Sequence, residues 1–250
     1  KNSFAGLKPE EKTKETVCIA GRLLTKRDMG KIAFATVSDQ SGTIQLFAKE
    51  DLLKDSYKLF KKVDLGDFIG AKGIVFKTKS GEITVEIKEF CLLSKSLRPL
   101  PEKFHGIKDP EIKFRQRYAH LATDKKARDD LILRSKLISE MRKILEEKGF
   151  IEIETPILQP IYGGAKARPF VTRHNVHNMD MYLRISDELY LKRLVVGGFE
   201  KVFEIGKVFR NEGIDHSHNP EFTMLELYQA YADYNDMMEL TEEVYEKIAK

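Results

Sequence analysis

Between residues 16 and 94, five segments alternate apolar and polar side chains, and one stretch of helical spacing interrupts them. A period of two sends successive side chains to opposite faces of a strand, so each segment has one face to bury. TVCIAGRLL (16–24) is the first segment. TKRDMGK, a turn containing Gly30, leads to IAFATVSD (32–39). Ser41-Gly42 marks the next turn, and TIQLFAK (43–49) follows. DLLKDSYKLFKK (51–62) carries its apolar residues at helical spacing. GDFIGAKGIVFKT (66–78) reads as a strand in which Gly70 and Gly73 predict a bend or bulge. EITVEIKEFCLLS (82–94) is the fifth.

The order β-β-β-α-β-β predicts an OB-fold, a five-stranded Greek-key barrel whose second and third strands commonly face oligonucleotides. On that face Arg27, Phe34 and Gln45 stand out. An aromatic ring is a stacking platform worth about 1–3 kcal/mol per base. An amide offers a donor and an acceptor together, and an arginine can meet phosphate or lie flat on a base. Barrels also bury aromatics, and pattern alone leaves Phe34 divided between core and binding face. Charge alone does not decide between them. The first 100 residues hold 19 basic and 13 acidic side chains, and the remaining 150 hold 24 and 26. A basic front half is a candidate partner for a polyanion.

Composition closes other routes. At 42% hydrophobic and 33% charged the chain is too apolar to be disordered, and no apolar run approaches the ~20 residues of a membrane span. KNSFAGLKPEEKTKE has no apolar core of the kind a secretory signal needs. Two cysteines, Cys18 and Cys91, without CxxC, argue against zinc knuckles and disulfide frameworks. A cytoplasmic location and no membrane partner are the expectations. The chain begins at Lys1 and ends in an amphipathic pattern with no stop signal, so it reads as part of a longer protein.

Beyond a Pro-rich linker, LRPLPEKFHGIKDPE, the pattern changes. DKKARDDLILRSKLISEMRKILEEKGF predicts a long helix with Leu131, Leu133, Leu137, Ile138, Met141, Ile144 and Leu145 as its stripe and Gly149 just past its end. IEIETPIL predicts a strand stopped by Pro156, and YLRISDELYLKRLVVGG turns from strand to helix near Asp187. FEKVFEIGKVFRNE and EFTMLELYQAYA predict a hairpin around the loop GIDHSHNP, followed by a helix over 234–249. Long helices among strands without βαβ spacing predict an α+β domain on an antiparallel sheet. The expected organisation is a lead (1–15), the barrel (16–96), a linker (97–118) and the α+β domain (119–250).

There is no Walker A loop, GxGxxG, GxSxG or HExxH. The chemistry-bearing stretch is FRNEGIDHSHNPEFTMLELY, 209–228. Arg210 and Glu212 sit at the loop entrance, His218 and Asn219 at its exit. Phe222, Glu226 and Tyr228 share one strand face. An Arg–Glu ion pair inside an ordinary hairpin is the plain alternative.

This stretch resembles motif 2 of the class II aminoacyl-tRNA synthetases, and its longer string, FRNEG with HNPEFTM, resembles the lysine-specific members. KGFIEIETPIL is similar to motif 1, with Pro156 as the family's proline. IYGGAKARPF, MYLRISDELYLKRLVVGG, LRPLPEKFHG and GRLLTKRDMGKIAFATVSDQSGTIQLF resemble further blocks in family order. One departure is Ser186-Asp187, where the family's helix more often opens with Ala-Pro. Either pair can start a helix.

The resemblance implies a lysine–tRNA ligase that uses ATP as substrate and tRNA(Lys) as acceptor. It implies Arg210 on the lysine carboxylate and the α-phosphate, as the catalytic residue. Glu212, His218, Asn219 and Phe222 would bind ATP. Gly164, Glu188, Glu226 and Tyr228 would hold lysine, and Arg27, Phe34, Gln45 and Glu89 would read the anticodon. It implies a homodimer through motif 1. The ligands for magnesium, and motif 3, would lie beyond residue 250, so a chain of these residues alone is expected not to complete catalysis. The same residues leave room for an aspartate or asparagine enzyme, which the HNPEF loop, Glu226 and Tyr228 disfavour. They also leave room for a paralogue that lysylates a translation factor, which would lack the barrel, and for a non-catalytic tRNA-binding protein.

Overall fold

The computed structural model describes residues 2–100 and 107–249. They form two compact units, divided between Arg128 and Asp129. No helix among the described residues is long and apolar enough to cross a membrane.

In the first unit, five strands close into a barrel in the order β1-β2-β3-β5-β4: β1 (Lys12–Asp28), β2 (Ile32–Ser38), β3 (Thr43–Lys49), β4 (Phe68–Lys77) and β5 (Ile83–Ser94). Strand β1 starts at Lys12, four residues before the alternating pattern. Its first pairing, Lys12 with Phe76, is separated by an irregularity from the ladder that begins at Thr16. Two short helices, α1 (Glu50–Leu53) and α2 (Asp55–Lys62), lie between β3 and β4. The inward residues follow the period of two: Ala33, Ala35 and Val37 from β2, Leu46 and Ala48 from β3, Val85 and Ile87 from β5. Tyr57 and Phe60 of α2 join the same core. Full burial of a large apolar side chain is worth roughly 1.5–3 kcal/mol, so this core holds the unit together.

The β4–β5 ladder shifts register twice, and the shift at Lys88 breaks the alternation of β5. Lys72 of β4 pairs with Glu89, yet its neighbour Gly73 pairs with Ile87, leaving Lys88 as an extra residue. This bulge changes the inward set from Ile83, Val85 and Ile87 to Phe90 and Leu92. Gly73 is required beside it, because a Cβ there would collide with the Glu86 carbonyl oxygen.

Of the Pro-rich stretch, 101–106 lie outside the described residues. Helices α3 (Pro110–Arg115) and α4 (Arg117–Thr123) follow, where the sequence predicts linker as far as 118. Asp109 caps α3 by accepting the Glu111 N–H, and Pro110 fits the first turn.

The second unit is built on helix α5 (Lys125–Glu147), with Gly149 past its end at φ +81°. Strand β6 is only Ile151–Glu152, and does not run on to Pro156 as the sequence pattern predicts. After Ile153 the ladder is replaced by a side chain, as the Glu204 carboxylate accepts the Thr155 N–H (3.2 Å) and hydroxyl (2.5 Å). A small antiparallel sheet, β7 (Leu158–Gln159), β9 (Met179–Leu183) and β8 (Val171–His174), comes next, then α6 (Glu188–Val196). The predicted hairpin is β10 (Lys201–Phe209) and β11 (Glu221–Gln229), antiparallel, and α7 (Tyr234–Ala249) follows. β6 pairs with β10 in parallel, so this sheet is mixed, with an antiparallel hairpin as its larger part. One face of the hairpin, with Phe203, Ile205, Leu225 and Leu227, packs on Met141, Ile144 and Leu145 of α5 and Leu240 and Val244 of α7.

The long stripe of α5 divides. Ile144 and Leu145 are buried, but Leu131 (42% exposed), Leu133 (55%) and Leu137 (36%) are not.

Candidate functional site

Each unit carries a site. On the barrel, the outward residues of β1, β2 and β3 meet in a cleft of about 600 Å³ whose lining includes Arg27, Phe34, Gln45, Phe47, Phe76 and Glu86. Register brings them together. Arg27 pairs with Phe34 across β1 and β2, and Phe34 with Phe47 across β2 and β3. The Phe34 and Phe47 rings stack at 4.7 Å and 25°, and Phe76 lies 5.9 Å beyond. Lys49 and Lys12 sit over the rings of Phe47 and Phe76. Phe34 is thus on the outer face, between the core residues Ala33 and Ala35. Gln45 accepts a hydrogen bond from the Thr84 hydroxyl (2.8 Å) through its amide oxygen, which leaves the amide N–H₂ as the free donor. Lys12, Arg27, Lys49, Lys77 and Lys79 outnumber Glu10 and Glu86 around the cleft.

Glu89 is not part of this cleft. It stands beyond the bulge, 68% exposed, paired with Lys72 at 2.9 Å. Of the two carboxylates lining the cleft, Glu86 is held by Lys12 and Lys49, each at 2.9 Å. Burial alone would raise the Glu86 carboxyl, but the two lysines outweigh it and hold it below the usual range.

In the second unit the free face of the hairpin carries Glu204, Gly206 and Val208 from β10 opposite Glu226, Met224 and Phe222 from β11, with Arg210 following at the end. Arg210 lies over the Phe222 ring at 5.2 Å, and its backbone N–H reaches the Pro220 carbonyl. It forms no ion pair among the described residues, so the plain Arg–Glu alternative is not what the hairpin builds. Glu212 lies outside the strand, where its Oε1 accepts the Arg168 N–H at 3.3 Å. His218 and Asn219 are in the exposed loop. The His218 imidazole is taken by Asp215 at 2.8 Å, so neither is aimed at the hairpin face by a contact within the chain.

The other end of the face is a carboxylate pocket. Ser186, 3% exposed, accepts the Glu188 N–H (3.1 Å) and donates its hydroxyl hydrogen to Glu226 Oε1 (2.8 Å). Ser186 therefore caps the start of α6, and Asp187 makes no side-chain cap. The second Glu226 oxygen is buried and has no hydrogen-bond partner. Burial, with Glu188 and Glu226 nearby, pushes the Tyr228 phenol up to about 12, so it stays a neutral donor toward Glu188. Lys192 pairs with Glu188 at 2.5 Å and lies over the Tyr228 ring at 5.8 Å. Gly164, at φ +86°, packs its backbone here: a Cβ would meet Ser186 Oγ at 2.7 Å and Glu188 Cβ at 2.8 Å. Gly164, Glu188, Glu226 and Tyr228 are thus brought together, with Phe222 and Arg210 along the same face. Among the described residues no group of three or more His, Cys, Asp or Glu side chains is arranged to hold a metal.

Sequence pattern does not single out Arg184, Glu204, Glu86, Phe47 or Phe76. Phe47 shares the parity of Gln45, and that signal is enough to find it. Arg184 and Glu204 read as ordinary strand charges until the register buries them against each other.

Comparison with known proteins agrees with this layout. Residues 109–250 match the family described as tRNA synthetases class II (D, K and N), and 17–93 match the OB-fold nucleic acid binding domain. The chain belongs to the class II tRNA synthetases of that group, with the OB-fold domain ahead of the synthetase unit. Within the group it is similar to proteins named lysine–tRNA ligase. It is 57% identical to that of Carboxydothermus hydrogenoformans over 242 residues, which are 96% of this chain and 50% of the relative. To that of Halalkalibacterium halodurans it is 56% identical, over 96% of this chain and 48% of the relative. To that of Clostridium botulinum it is 58% identical, over 91% and 45%. The chain spans about half the length of these curated relatives.

Proposed function

We propose that this chain is part of an ATP-dependent lysine–tRNA ligase. The observation that carries the reading is the hairpin face, which has an arginine over a phenylalanine at one end and a buried, half-unpaired glutamate at the other. A desolvated ammonium needs a carboxylate partner, and Glu226 offers an oxygen without one. Glu226, Glu188 and the neutral Tyr228 hydroxyl together favour a cationic side chain and disfavour aspartate. Phe222 offers a ring to adenine, and Gly164 lets the backbone approach the α-amino end. Glu212, His218 and Asn219 would close on ATP from the loop.

In the first step a lysine carboxylate oxygen bonds to the α-phosphorus of ATP and pyrophosphate leaves. A ribose hydroxyl of the tRNA then takes the lysyl group and AMP leaves. The carboxylate is already ionised, since an α-carboxyl pKa is about 3.5, so the first step needs positioning and charge neutralisation rather than a base. Arg210 supplies both with a planar, permanently charged fork. Magnesium, implied by the resemblance, finds no donor cluster among the described residues.

The barrel cleft would hold the U-rich anticodon, with Phe34 as stacking platform, Arg27 beside it and the Gln45 amide as donor. Glu86, rather than Glu89, is the carboxylate that would face it. The exposed part of the α5 stripe supports a homodimer.

Amino-acid-dependent pyrophosphate exchange by the full-length protein, run with all the protein amino acids, tests the reading. Exchange with lysine alone is the expected result, and Glu226→Gln should abolish most of it. Exchange driven by aspartate or asparagine would overturn it.

A further inference from the structure

Against the Glu204 end of the hairpin face lies a buried polar cluster with no part in the reaction steps. Arg184, 1% exposed, faces Asp187 (0%) and Glu204 (4%). Arg184 Nε and one terminal nitrogen are bonded to groups other than Asp187. Its Nε donates to the Lys207 carbonyl (2.8 Å), and one terminal nitrogen donates to Glu204 Oε1 (2.6 Å) and to the Thr155 hydroxyl (3.0 Å). Glu204's other oxygen is satisfied by Thr155. Asp187 Oδ1 is 3.0 Å from Arg184 Nε, but neither Asp187 oxygen receives a hydrogen bond.

An ionised carboxylate buried without a donor is strongly disfavoured, and taking up a proton removes the charge. The charged groups acting on Asp187 are Arg184 from its own turn, Glu204 from β10 and Glu226 from β11. Glu188 and Lys192 of α6 are paired with each other, and Tyr228 is neutral. Burial, opposed by Arg184 and reinforced by Glu204 and Glu226, pushes the Asp187 carboxyl up to about 7.

We infer that Asp187 holds a proton while the pocket is empty and gives it up when an ammonium settles against Glu226, so that substrate binding is coupled to proton release. The arriving cation neutralises Glu226, one of the two charges that keep the proton on Asp187. The inference rests on reading the hairpin face as the lysine site. Its sign follows: a group whose pKa falls on binding makes binding tighter as pH rises toward the free-state value, and flat above it.

Calorimetric titration of the full-length protein with lysine at pH 7, in phosphate and in Tris, reads the protons released. Release of up to about half a proton per lysine is expected, since the group is near half-titrated there. Asp187→Asn should remove that release and flatten the pH dependence of lysine affinity between about pH 5.5 and 7. A wild-type enthalpy independent of buffer would overturn the inference, and so would equal release by Asp187→Asn. The wild-type arm does not depend on the variant folding. Lysine bound without proton release removes only this coupling, whereas failure to bind lysine at all removes the site reading with it.

Discussion

Gly206 sits where a side chain would strike Arg184, because a Cβ there would collide with the guanidinium. Gly206→Ala should therefore push the arginine off Glu204 and Thr155. Breaking a buried pair costs about 3–5 kcal/mol, and urea unfolding of the full-length protein would show it. A loss below about 1 kcal/mol would mean the guanidinium can slide aside. Glu86 and Glu89 make a paired test of the cleft. Glu86→Gln should weaken binding of a lysine-anticodon stem-loop several-fold, and Glu89→Gln should leave it unchanged in a filter-binding assay. Equal effects would put the reading face elsewhere. Asp187 also predicts a stability signature. Its folded carboxyl titrates near 7 and its unfolded one near 3.9. The folded state therefore binds the proton more tightly, and stability falls as pH rises from about 4 to about 7. Asp187→Asn should be the more thermostable protein at pH 8, with the advantage shrinking by pH 5, in paired melting curves. At this scale, residue types are easier to read from sequence than their environments. Gln45 declares itself an outward residue by alternation, whereas Phe34 stays divided between core and face until the register sets it outside. The unpaired oxygens of Glu226 and Asp187 exist only once three strands of chain are brought into one pocket.

Elements show the same division between local and distant causes. The five barrel strands and the hairpin follow from alternation and turn residues, which are local. The stretch 153–157 reads as strand but is not one, because Glu204, some fifty positions later, supplies the bonds a ladder would have made. The β5 bulge likewise depends on how β4 lies against it. Helix α5 reads as a single stripe, yet only its last turns meet the sheet. The exposed Leu131, Leu133 and Leu137 leave an apolar face on which a second copy would dock. Leu133→Glu should convert the full-length protein from dimer to monomer by sedimentation. An unchanged mass would assign that face another role.

At the scale of the molecule, two units with separate cores should behave separately. The barrel, expressed as residues 1–98, should fold alone with a strand-rich circular dichroism spectrum. It should bind the anticodon stem-loop with an affinity that falls steeply with salt, as each cation–phosphate contact contributes to the slope. A salt-independent affinity would exclude the basic cleft as the contact surface. The second unit carries the less comfortable arrangement, with Arg184, Glu204 and Glu226 all acting on the buried Asp187. A selection for heat resistance alone, blind to activity, should strike there first. Neutral residues at Asp187 and Glu226 would accumulate ahead of changes in the barrel core, because natural chains keep such costly groups only where the work requires them.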